Sequence, residues 1–185
     1  MKMLVKRIWL TICLTLFANQ VGAQSMLIDD FSPNSNGQWS YFADTVMGGV
    51  SDGSARIIQT DIGPAAHLYG RVSTENNGGF IQIRTGLSGK LVQNFEGLRL
   101  RVKGNGETYF IHLRTSGSFL PWQYYSAEFP TTSEWSEVWL PFDNFKASAR
   151  GMRKALRPRA ISSLGVVAYG KDHQADLWVE EISLY

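Results

Sequence analysis

"LRLRVKGNGETYFIHLRT", residues 98–115, alternates apolar and polar side chains on both sides of a single Asn-Gly pair. Asn105-Gly106 is the favoured dipeptide of a two-residue hairpin turn, because both central positions of that turn need positive φ. A turn centred there sets Val102 opposite Tyr109, Leu100 opposite Ile111 and Leu98 opposite Leu113. The other side then pairs Lys103 with Thr108, Arg101 with Phe110 and Arg99 with His112, with Arg114 beyond. One face is wholly apolar, and a slip of one residue would destroy the separation. The stretch predicts a β-hairpin that lays its apolar face on a core.

The same reading extends along the chain. "SARIIQ", "AAHLYGRVS", "FIQIRTG", "YYSAEFPT", "SEVWLPF" and "GVVAYGK" are short candidate strands separated by Gly, Asn, Ser and Pro clusters. Many such strands predict an all-β sandwich or barrel. In the last candidate, "ADLWVEEISLY", Leu177 and Val179 share one parity while Ile182 and Leu184 share the other, which predicts a β-bulge at Glu180-Glu181. "NFKASARGMRKALRPRA", residues 144–160, is basic and is expected to be a short helix or an irregular crossing.

The first residues follow another rule. "MKMLVKR" is basic, "IWLTICLTLF" is apolar and "ANQVGAQ" is small and polar, the three-part pattern of a secretory signal peptide. The apolar run is too short to span a bilayer, which takes roughly 20 residues. The expected division is a signal peptide over residues 1–23, cleaved after Ala23, and one domain over residues 24–185. No transmembrane segment is expected after cleavage, and the protein is expected to be exported, to the periplasm or beyond. The chain carries a net charge of +2, and Lys2, Lys6 and Arg7 lie in the signal, so the mature chain stands near 2 − 3 = −1. That balance gives no support for nucleic acid as a partner. The one cysteine, Cys13, also lies in the signal, so the mature domain has no disulfide, thiol nucleophile or cysteine metal site.

Chemistry of the catalytic kind is not visible. No serine sits in a Gly-x-Ser-x-Gly elbow, His67, His112 and His173 stand apart, and no two carboxyls form an evident acid and base pair. The chain reads as no enzyme.

Five segments together carry a family resemblance: "DTVMGGVSDGS", "GRVSTENNGGFIQIR", "GLRLRVKGNGETYFIHLR", "EWSEVWLPFDNF" and "ARG", in that order. They resemble the complex I intermediate-associated protein 30 family over nearly the whole mature chain. The resemblance implies a galactose-binding-like jelly-roll β-sandwich, a fold that many carbohydrate-binding modules also use. It brings no catalytic residues. The family's mitochondrial members are assembly factors for respiratory complex I, whereas this chain carries an export signal. Two functions follow as expectations: a non-catalytic protein-interaction module with an assembly or chaperone role, or a carbohydrate-binding module.

The expected binding residues come from the strand pattern. Arg99, Arg101, Phe110, His112 and Arg114 would share one cationic face suited to a protein partner's acidic patch, an acidic glycan or lipid headgroups, unless an acid such as Glu128 neutralises it. Trp122 in "SFLPWQYY" would form an exposed platform. In "DTVMGGVSDGS", residues 44–54, Val46 and Met47 either fold back as an apolar plug beneath a capping loop or leave Met47 exposed to a partner. No cofactor is expected. A structural calcium would need Asp29 or Asp30 to meet Glu180 or Glu181, and the competing reading makes these acids solvated edge charges.

The signal reading fixes a first expectation. N-terminal sequencing of exported protein should begin at Gln24 or within two residues of it, and an intact Met1 would overturn the assignment.

Overall fold

A computed structural model describes residues 24–35 and 37–185; the expected signal peptide lies outside the described residues. Twelve strands, numbered β1 to β12 in chain order, form two six-stranded antiparallel sheets. The first sheet runs β3 (Asp52–Gln59), β4 (Pro64–Val72), β12 (His173–Leu184), β6 (Gly97–Gly104), β9 (Ser136–Pro141), and β1 (Met26–Asp29) also pairs with β12. The second runs β10 (Lys146–Ala147), β8 (Tyr125–Pro130), β7 (Thr108–Thr115), β11 (Ile161–Tyr169), β5 (Phe80–Gly86), β2 (Ser40–Ala43). The architecture is the expected jelly-roll sandwich. No helix among the described residues is long and apolar enough to cross a membrane.

The predicted hairpin is not formed. β6 and β7 are consecutive but lie in opposite sheets, so the 105–106 turn is an arch across the end of the sandwich. Leu98, Leu100 and Val102 face Tyr109, Ile111 and Leu113 through the core, and all six are fully buried. Alternation alone cannot separate the two arrangements, because a hairpin and an arch both bury every second residue. The turn chemistry separates them. Gly106 has φ of +87°, but Asn105 is not in the positive-φ region that the hairpin turn requires. Instead the Asn105 side chain donates to the Gln174 carbonyl at 2.8 Å and accepts the Tyr109 hydroxyl at 2.8 Å. That hydroxyl accepts the Asp176 backbone N–H at 2.8 Å, which ties the arch to β12.

Other expectations hold. The β12 register shifts against β6 between Val179 and Glu181, so Leu177, Val179, Ile182 and Leu184 are all buried despite their change of parity. The basic segment is an irregular crossing with one three-residue helical turn, Pro158–Ala160.

The 44–54 loop is organised by a charge. The Asp44 carboxylate is fully buried and accepts the Ser51 N–H at 3.0 Å, the Ser51 hydroxyl, the Gly79 N–H at 2.6 Å and the Phe80 N–H at 3.2 Å. Ser51 Oγ in turn accepts the Ser73 N–H at 2.9 Å. A Cβ on Gly49 or Gly78 would overlap the Asp44 carboxyl, which explains one glycine in each of two glycine pairs. Burial by itself would raise the Asp44 pKa, but the donors from Gly79, Ser51 and Phe80 outweigh it and hold the group below the ordinary carboxylate value. The expected apolar plug is absent, because Val46 and Met47 are 71% and 56% exposed. A short helical turn, Asp44–Met47, sends Asp44 inward and leaves these two outside.

Asp44→Asn keeps the volume but places an amide N–H₂ against a buried donor. The expected loss is about 2 kcal/mol or more, from one unsatisfied buried N–H and the lost charge-assisted bonds. Urea denaturation measures it, and an unchanged midpoint would mean that the carboxylate does not fix the loop.

Candidate functional site

The expected cationic face is divided between two outer surfaces, because the strands that carry it belong to different sheets. Arg99 and Arg101 lie on the first sheet, while Phe110, His112 and Arg114 lie on the second. Trp122 is 57% exposed in the loop between β7 and β8. Met47 stands apart, on the Asp44–Met47 turn.

The first-sheet surface neutralises itself. Arg99 pairs with Glu181 and lies 3.5 Å from Glu137, and Arg101 lies 3.9 Å from Glu180. Registers of β6 with β12 and β9 set those acids beside the arginines, and Glu128 is on the other sheet. Lys103 sits over Trp135 at 4.9 Å and Trp178 at 5.1 Å, and His67 stacks on Trp178 at 3.7 Å. Every cation of β6 therefore has an acid or an aromatic face within the same surface.

Of the four acids named for calcium, Asp29 and Asp30 accept from neighbouring donors, and Glu180 and Glu181 face arginines. Asp29 accepts the Phe31 N–H and the Trp39 indole N–H, each at 2.7 Å, and Asp30 accepts the Ser32 N–H at 3.1 Å. Among the described residues no three His, Cys, Asp or Glu side chains gather to hold an ion.

The second-sheet surface has a different character. Cross-strand registers lay Ser126, His112, Gly165 and Arg84 in one row, and Glu128, Phe110, Val167 and Gln82 in the next. Gly165 has no side chain, so the middle of the first row is low. The His112 ring stacks on Tyr124 at 3.9 Å and 15° between planes. Tyr169 meets His112 edge-on at 5.5 Å and Phe110 edge-on at 5.8 Å. Arg84 lies over the Phe42 ring at 4.4 Å on the far side. Burial, then the hydrogen bond and charge of Tyr169, push the Tyr124 phenol up. Burial drives the His112 pKa down to about 3. The imidazole is therefore neutral near pH 7, and its buried Nε2 has no hydrogen-bond partner.

This surface is an aromatic platform with a neutral hydrogen-bonding group, Gln82, and a charged rim of Arg84 and Glu128. Sequence reasoning put Phe110 and His112 on one face but did not show their company. Tyr124 lies in "SFLPWQYY", where only Trp122 is singled out, Tyr169 carries no signal of its own, and β2, which brings Phe42, is too short for its period to be seen. Only the strand order assembles the cluster.

The family model of complex I intermediate-associated protein 30 matches residues 29–179. No curated protein matches the sequence. Among solved structures, a family 11 carbohydrate-binding module of the Clostridium thermocellum cellulosomal cellulase Lic26A-Cel5E is similar, with 18% identity, a TM-score of 0.72, and coverage of 88% of this chain and 94% of that one. A family 11 module from Clostridium thermocellum in complex with a β-1,3-1,4-mixed-linked tetrasaccharide has 17% identity, a TM-score of 0.70, and coverage of 86% and 94%. A family 30 module of the Clostridium thermocellum cellulase Cel9D-Cel44B has 13% identity, a TM-score of 0.59, and coverage of 88% and 97%. Likeness at these identities establishes the fold.

The buried imidazole sets a pH dependence. Its folded-state pKa lies below the unfolded value of about 6.5, so the unfolded chain binds the proton that the native state refuses. Stability is full above the unfolded pKa and is lost as pH falls toward the folded value, with a limiting slope of about 1.4 kcal/mol per pH unit. His112→Gln should flatten the stability profile between about pH 6 and about pH 4.5, a window above the titration of Asp44. Equal slopes for both proteins in urea denaturation would show that His112 accepts a proton freely when folded.

Proposed function

The chain belongs to the complex I intermediate-associated protein 30 family, and we propose that it is an exported, non-catalytic binding module that takes a carbohydrate on the outer surface of its second sheet. One observation carries the reading: Phe110, His112, Tyr124 and Tyr169 form a contiguous aromatic platform on that outer surface. Sugar rings offer apolar C–H faces to aromatic rings, and their hydroxyls need neutral or charged planar partners at fixed positions. Gln82, Glu128 and Arg84 supply those partners around the platform. One of the similar modules named above is in complex with a β-1,3-1,4-mixed-linked tetrasaccharide, which supports the class of ligand. The N-terminal signal pattern supports a location where polysaccharide is met.

A second reading rests on the exposed Val46–Met47 pair. The Asp44 clamp presents both side chains to solvent on a fixed turn, which suits a protein partner in an assembly role.

Affinity electrophoresis against neutral and acidic polysaccharides, followed by calorimetric titration, tests the first reading. Binding is expected, and Tyr169→Ala should weaken it by about tenfold, equivalent to roughly 1.4 kcal/mol, with little change in melting temperature. An intact platform that retards on no polysaccharide would sink the carbohydrate reading. Capture of one protein by the native chain that is lost with Val46→Ser and Met47→Ser would favour the assembly reading instead.

A further inference from the structure

The loop between β7 and β8 carries a feature that the carbohydrate platform does not use. Phe119, Leu120 and Trp122 all point to solvent, and Phe119 is 85% exposed. Single exposed apolar residues are ordinary, but three within four positions form a patch. The loop is held in this shape. Gln123 Oε1 accepts the N–H groups of Phe119 and Leu120 at 3.0 and 3.1 Å. Arg114 Nη2 donates to the carbonyls of Ser118 and Leu120 at 2.7 and 3.1 Å. Ser148 Oγ donates to the Trp122 carbonyl at 2.6 Å. The fold thus fixes the loop with its apolar side chains outward.

The basic crossing lies beside that loop. Ser148 belongs to it, β10 pairs with β8, and the Tyr125 hydroxyl donates to the Arg153 carbonyl at 3.0 Å. From residue 146 to 159 the chain has six cations, Lys146, Arg150, Arg153, Lys154, Arg157 and Arg159, and no acid. Without these six the chain's charge would be 2 − 6 = −4, so positive charge is concentrated here. All six are exposed, and none is in an ion pair among the described residues. Arg153 and Arg157 also line a cleft of about 340 Å³ with Thr115, Ser116 and Gly117.

We propose that this corner docks the protein on a membrane surface that carries anionic phospholipid headgroups. Phe119, Leu120 and Trp122 enter the interfacial layer, where tryptophan in particular is favoured. Arg150, Arg153 and Lys154 lie against the anionic headgroups, and the cleft accepts a phosphate between the planar forks of Arg153 and Arg157. An acidic glycan or protein patch would satisfy the cations but leave the apolar tip in water. The combination of a rigid apolar tip and an unpaired basic flank therefore selects the lipid surface.

The test is co-sedimentation of the mature protein with vesicles. Vesicles of equal parts phosphatidylcholine and phosphatidylglycerol should bind it, with at least about tenfold weaker binding to phosphatidylcholine alone and a strong loss in high salt. Arg153→Glu with Lys154→Glu, and separately Phe119→Ser with Trp122→Ser, should each reduce binding by about tenfold. These side chains are exposed, so melting temperatures should stay near that of the native protein. Tyr169→Ala should bind vesicles normally, which separates this surface from the carbohydrate platform. Absence of vesicle binding, equal binding to both lipids, or full binding by either double variant would overturn the proposal. Retention on a sulfated polysaccharide without any vesicle binding would assign the corner to an acidic glycan and overturn it as well.

Discussion

Asp44 holds the sandwich together at one end. Its carboxylate gathers donors from its own loop through Ser51 and from the start of β5 through Gly79 and Phe80, and Ser51 passes the contact on to Ser73 at the end of β4. One buried charge thereby fixes where strands of both sheets begin and end. A buried carboxylate survives only if such donors surround it, and the donors reach it only if no side chain stands between them. Gly49 and Gly78 meet that second condition. Val-Met-Gly-Gly and Asn-Gly-Gly-Phe, distant in the chain, are two halves of one polar cluster.

Much of this was legible in the sequence, and the boundary of legibility has a physical basis. The alternation of Leu98, Leu100 and Val102 with arginines identifies a strand buried on one side, and the parity change at Glu180-Glu181 identifies the bulge. Both are local properties of the backbone period. The partner of each strand is not local. Arg99 and His112 appear as neighbours when β6 and β7 are paired, and lie on opposite outer surfaces when the connection is an arch. The acids that neutralise Arg99 and Arg101 come from β9 and β12, far along the chain. The aromatic platform likewise draws on three separate segments, β7, the stretch before β8 and the end of β11, and no one of them announces it.

The two outer surfaces show how similar residues reach opposite outcomes. On the first sheet, arginines meet glutamates and Lys103 lies between indole rings, so charge and aromatic faces satisfy one another. On the second, rings pack against rings around an uncharged imidazole, and the polar atom left over is His112 Nε2. The difference lies in which strands stand next to each other. Acids on β9 and β12 flank β6, whereas the glycine of β11 flanks His112.

The arch at Asn105-Gly106 also governs the order of events as the chain folds. Because β6 and β7 enter different sheets, forming one brings the other no partner. β6 must wait for β9 and β12, and the Tyr109 hydroxyl finds the Asp176 N–H only when β12 has arrived. β12 is the middle strand of the first sheet, between β4 and β6, yet it is the last strand to emerge. The first half of the chain therefore holds an incomplete sheet with its apolar face uncovered until residues 173–184 are available. Such non-local closure places the molecule among the slow folders and makes its nascent chain a natural client for holding factors.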